Sequence, residues 1–136
     1  MNATLFQPVP ALWRIGEVVQ VPAGLYFHVA LIGDRIVGGE RGILAFTPDA
    51  GGLIEQPFSE FARGRPVTRV GYLGALPPAI VLQRARMMSE TPYSWTEFNC
   101  EHFVRYAHGV PVVSPQLRFW AAVGLFGLIS CAAAKA

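Results

Sequence analysis

Eleven prolines and fourteen glycines punctuate the 136 residues, a density of turn formers that a helical bundle does not tolerate. Such a chain is expected to be built from short strands joined by turns. It is long enough for one domain with a real core and too short for two. With 52% apolar and 15% charged residues, a disordered chain is excluded.

The strand signals come first. Residues 1–12 read as a lead-in carrying Pro8 and Pro10, and the segment 14–22, RIGEVVQVP, is rich in β-formers. The segment 24–34, GLYFHVALIGD, is a stronger strand that ends at the turn signal Gly33-Asp34. RIVGGE (35–40) is then expected to return as the second arm of a hairpin, followed by a strand at 42–48. Residues 49–66 look loop-rich, with a short helix at PFSEFARG stopped by Gly64, before a strand at 67–73.

Helices follow. Pro77-Pro78 open AIVLQRARMMSE, in which Val81, Ala85 and Met88 share one helical face, and Pro92 ends the segment. Asn99 is a good N-cap for a helix from Cys100 to His108, with Gly109 as its stop. Strands first and helices afterwards, without βαβ alternation, predict an α+β domain in which helices pack on an antiparallel sheet. A domain over 13–118 would leave a tail over 119–136, of which residues 119–134 carry no charge between Arg118 and Lys135. That run is slightly shorter than a bilayer span needs. It reads either as a membrane-associated segment or as a helix packed on the domain or a partner.

Charge narrows the partners. The formal net charge is +2 and ten of the eleven basic residues are arginines scattered along the chain, which gives no footprint for nucleic acid. Cys100 and Cys131 do not make a disulfide framework, and no CxxC or HxxxH spacing supports a metal centre, so neither metal nor cofactor is expected. The first residues lack a basic segment followed by a long apolar one, as a secretory signal would have. A reduced thiol in the cytoplasm, with membrane association through the tail, is the expected setting.

Cys100 is the residue that carries chemistry. At the start of a helix its thiol feels the positive end of the backbone dipole, which favours thiolate; the alternative is a small apolar residue in the core. Of the three histidines, His102 lies two residues on and points roughly to the other side of the helix. It is expected to hold the helix against the domain. His108 is about 12 Å away along the axis at the helical rise, too far for a hydrogen bond. His28 is mid-strand, sharing a face with Tyr26 and Ala30, while Phe27, Val29 and Leu31 share the other. A strand histidine beside a helix-capping cysteine is the arrangement of papain-type catalysis.

YFHVALIGD followed by NCEHFVRYAHG resembles the lecithin:retinol acyltransferase (LRAT) family. That family is the circularly permuted branch of the NlpC/P60 papain-like thiol enzymes and includes the H-Ras-like suppressor phospholipase/acyltransferases. The resemblance runs over about residues 13–118, takes in RIGEVVQV and Gln116, and has Asn99-Cys100-Glu101-His102-Phe103 as its core. It implies an acyltransferase or lipid acyl hydrolase in which Cys100 takes the acyl group as a thioester and His28 is the base. Backbone N–H groups at the start of the Cys100 helix and the side chain of Tyr26 would serve the oxyanion or the pocket wall. An acyl-containing lipid is the implied substrate.

One departure stands out. The family places a second polar residue after the hairpin turn, whereas RIVGGE offers only Glu40. A three-residue turn at Gly33-Asp34-Arg35 would pair residue 28 with residue 40, and a two-residue turn would send Glu40 to the opposite face. Two alternatives therefore stand beside the acyltransferase. One is an NlpC/P60-like peptidase or amidase; the other is a non-catalytic interaction protein on the same fold, as in the picornaviral H-box/NC proteins.

Overall fold

The computed structural model describes residues 13–124; the 1–12 lead-in, Cys131 and the remainder of the tail lie outside the described residues. The described chain is an α+β fold with a five-stranded antiparallel sheet and four helices. The strands are β1 (Val18–Ala23), β2 (Tyr26–Val37), β3 (Glu40–Thr47), β4 (Gly52–Pro57) and β5 (Thr68–Gly71). They lie in the order β4-β3-β2-β1-β5, so β2 is the middle strand. The helices are α1 (Phe58–Ala62), α2 (Pro78–Arg86), α3 (Cys100–His108) and a fourth, α4, over 115–124.

Both faces of the sheet are covered, which explains why β2 and β3 contain runs such as VALI and ILAF instead of a clean polar alternation. Val18, Val29, Leu31, Leu44 and Phe46 pack with α2 and α3. Val19, Val21, Ala30, Ile32, Ile43 and Ala45 pack with Phe58, Phe61 and Ala62 of α1. Neighbouring positions of one strand thus belong to different cores, the period-2 consequence of the pleat.

The hairpin between β2 and β3 corrects the expected turn. Gly33-Asp34 is not its tip; the chain continues to Val37, which pairs with Glu40 across Gly38-Gly39. Both glycines have positive φ, 58° and 80°, as a two-residue turn matched to strand twist requires. At Gly33-Asp34 the register instead shifts between Ile32 and Ile36. There the strands approach so closely that a Cβ on Gly33 would lie 2.7 Å from the Gly42 carbonyl oxygen. Arg86 of α2 donates to Asp34 at 2.6 Å and to Glu55 of β4 at 2.9 Å, tying this irregularity to the helical layer.

Other boundaries move less. β4 forms where a loop was expected, because pairing with β3 over Gly42–Thr47 supplies hydrogen bonds that LIEQ does not advertise. α1 stops at Arg63, itself left-handed at φ 49°, one residue before Gly64. α2 ends at Arg86, well before Pro92, although Val81 and Ala85 are buried and Met88 packs against them as their spacing predicts.

The close approach at Gly33 gives a direct test. Gly33→Ala forces strand separation at the bulge and is expected to cost about 1–3 kcal/mol by overpacking, read as a lower urea midpoint at unchanged slope.

Candidate functional site

α3 begins where its sequence says it should, and the cap is unusually well tied. The Asn99 side-chain oxygen accepts from the backbone N–H of Glu101 at 2.9 Å and of His102 at 3.3 Å. His102 Nδ1 in turn accepts the backbone N–H of Asn99 at 2.9 Å, so a histidine fills the place that glutamate usually takes in a capping box. The Asn99 amide also donates to the Trp95 carbonyl at 2.9 Å and to Ser114 Oγ at 3.2 Å.

Glu101 extends this network toward α4. Its Oε1 accepts from Ser114 Oγ at 2.6 Å and from the Gln116 backbone N–H at 3.0 Å. The Gln116 side chain clamps the backbone of Phe27, accepting from its N–H at 2.7 Å and donating to its carbonyl at 2.8 Å. Phe103 lies fully buried, stacked on Phe46 at 5.4 Å. Four residues of NCEHF are therefore occupied in holding α3, α4 and the start of β2 together, and His102 does this as part of the cap.

Cys100 occupies the first helical position with its side chain turned to the sheet and only 3% exposed, in the core that contains Val29 and Leu31. Burial pushes its thiol up to about 11, against the opposing influence of the Val29 backbone N–H. Beside it lies a small cavity of about 160 Å³ whose walls include Tyr26, Trp95, Leu117 and Trp120.

His28 sits elsewhere. It follows Ala30 and Ile32 onto the α1 face, where its ring lies 5.4 Å from that of Phe61. There it lines a larger cavity, about 570 Å³, with Arg63, Arg65 and Thr47. Burial first, and then the charges of Arg65 and Arg63, lower its pKa to about 4. No hydrogen bond joins its imidazole to the Cys100 thiol, and the alternation of β2 places the two groups on opposite faces of the sheet. The expected Cys100–His28 couple is thus not brought together, because the side chain that turns toward α3 is Val29.

Glu40 does not complete it either. It sits at the tip of the β2–β3 hairpin, opposite Val37, and accepts a hydrogen bond from Ser59 Oγ. The pairing of 28 with 40 required a turn at Gly33–Arg35, and the glycine pair further along forms the turn instead. Tyr26 lines both cavities and meets Trp95 edge to face at 5.2 Å. Burial, then the neighbouring Cys100, raises its pKa, so its phenol stays protonated and offers a donor, not a base. His108 is buried at the C-terminal end of α3, with Nε2 at 2.8 Å from the Gly16 carbonyl oxygen.

Two groups escaped the sequence reading. Ser114 and the Trp95 carbonyl join the cap through spacing that is not helical, and no local pattern points to them. Trp95 and Tyr93, just upstream of the cysteine, are a signal that was there to be used: Tyr93 stacks near Phe46 and meets Trp95 at 5.4 Å. Among the described residues there is no group of three or more side chains able to hold a metal ion.

The cap and the histidine each carry a test. Asn99→Ala removes two acceptor interactions at the helix start and leaves buried partners unsatisfied, with an expected loss of about 2 kcal/mol in urea unfolding. The depressed pKa of His28 means that the unfolded chain takes up a proton first as pH falls. Its stabilising share is intact above about 6.5, the ordinary histidine value, and is lost progressively as pH falls toward 4. His28→Gln should flatten the pH dependence of unfolding free energy in that window while leaving the slope below pH 4 unchanged. Compared with known proteins, no family model matches this chain and no curated protein matches it.

Proposed function

We propose that the chain is a non-catalytic interaction protein on an LRAT-like, permuted papain-like scaffold. The observation that supports this reading best is the separation of the Cys100 thiol and the His28 imidazole by the sheet itself. A buried thiol with a raised pKa and no base beside it is a poor nucleophile. The residues of NCEHF around it are engaged in capping and docking, a role in which the motif is retained for architecture.

A second reading, acyl transfer through Cys100, draws on the place of that thiol at the first position of α3 and on the wall of an apolar cavity. In it the sulfur attacks an acyl carbonyl, the ester bond breaks, the thiol proton passes to the departing alkoxide, and a thioester remains. It requires β2 to slip by one residue, which would turn His28 to the α3 face and Val29 away from it.

Labelling separates the two. Under the interaction reading, iodoacetamide and an acyl-fluorophosphonate label Cys100 slowly at neutral pH, and peptide mapping shows no change with His28→Ala. Alkylation should accelerate as pH rises toward 11, following the raised pKa of the thiol. Rapid labelling of Cys100 at pH 7 that His28→Ala abolishes would sink the proposal and establish the enzyme.

A further inference from the structure

The end of the domain that carries the small cavity also carries five exposed large apolar side chains. Leu25 in the β1–β2 turn is 81% exposed, Phe27 47%, Trp95 50%, Phe119 61% and Trp120 40%. They belong to one region. Tyr26 lies between Leu25 and Phe27 and meets Trp95 edge to face; Trp95 and Trp120 both line the cavity with Tyr26; and Phe119 contacts Trp120 at 5.3 Å. The Gln116 clamp on Phe27 joins the first turn of α4 to the start of β2, so these side chains stand on one tied platform.

We infer that this end of the domain, from the β1–β2 turn across Trp95 to α4, is a docking surface for a lipid bilayer interface. The choice of occupant rests on α4. Every residue from Arg118 to Gly124 is exposed, and after Arg118 the stretch Phe119-Trp120-Ala121-Ala122-Val123-Gly124 is apolar on all sides of the helix. A protein groove covers one stripe of a helix, whereas hydrocarbon can surround it. Trp95 and Trp120 have the apolar body and polar N–H that favour the headgroup boundary. Arg118 supplies a charge whose long stem can reach back to the headgroups. Among the described residues no helix is long and apolar enough to cross a membrane. The β1–β2 turn and Trp95 make the folded domain, and not its tail alone, part of the contact.

This inference names a partner for the interaction reading; it does not depend on how Cys100 is labelled, so failure of one is distinguishable from failure of the other. The test uses the full chain and 3:1 phosphatidylcholine:phosphatidylglycerol vesicles, with brominated phosphatidylcholine as quencher. Three variants each retain one tryptophan, the other two being changed to phenylalanine. Trp95 and Trp120 should be quenched, and Trp13, which packs on Phe58 of α1, should not. The exposed double variant Leu25→Ser, Phe27→Ser should keep its circular dichroism and weaken vesicle partition roughly tenfold or more, from lost apolar insertion. Quenching of Trp120 alone, with no effect of the double variant, would overturn the surface and leave only a tail contact. Absence of quenching at both tryptophans would overturn it, as would a concentration-dependent dimer that shields Trp95 without binding vesicles.

Discussion

The middle strand of the sheet has no free face, and its pleat assigns each residue to one of two cores. Val29 and Leu31 go to the layer of α2 and α3, Ala30 and Ile32 to the layer of α1. Moving any of them would exchange the whole set, so register is held by burial on both sides at once. His28 inherits its position from this rule. With Phe61 beside it and two arginines across its cavity, it is a neutral imidazole in a partly desolvated groove. The strand aims it at the α1 layer, away from the core that holds Cys100.

The helix that carries Cys100 depends on a different device. Asn99 and His102 close the cap on each other, and Glu101 passes the connection through Ser114 and Gln116 to the backbone of Phe27. Charged and neutral hydrogen bonds inside such a network support one another, and removing a member strands its partners. One five-residue stretch thus positions α3 on the sheet and anchors the start of α4. The thiol points into the core, where burial opposes ionisation more strongly than nearby backbone N–H groups favour it.

The two cavities are also separated by this layering. The larger, on the α1 face, carries both signs of charge in its lining, Arg63 and Arg65 with Asp49 and Glu60; the smaller is aromatic, on the α3 face, and opens among exposed apolar side chains. Tyr26 borders both because it lies at the first position of β2. The apolar platform thus lies next to the capped, buried cysteine, on the α3 side of the sheet.

Much of this was legible along the chain. Asn99 as cap, Cys100–His108 as helix, Gly109 as stop, the strand content before residue 73 and the antiparallel α+β arrangement all follow from local rules: side-chain capping, positive φ at glycine, and density of turn formers. Both alternatives for the hairpin assumed a turn near Gly33-Asp34, and neither considered that the glycine pair at 38–39 satisfies a two-residue turn better than Asp34 can. Glu40 therefore landed at the tip. The face of His28 relative to Cys100 belongs to a different class of question. Alternation within β2 is a local property, readable as soon as the strand is recognised. Which face α3 covers is set by the packing of two cores against the same sheet, between residues distant in sequence. That choice depends on the fit of apolar surfaces across the whole domain, and only the tertiary structure makes it.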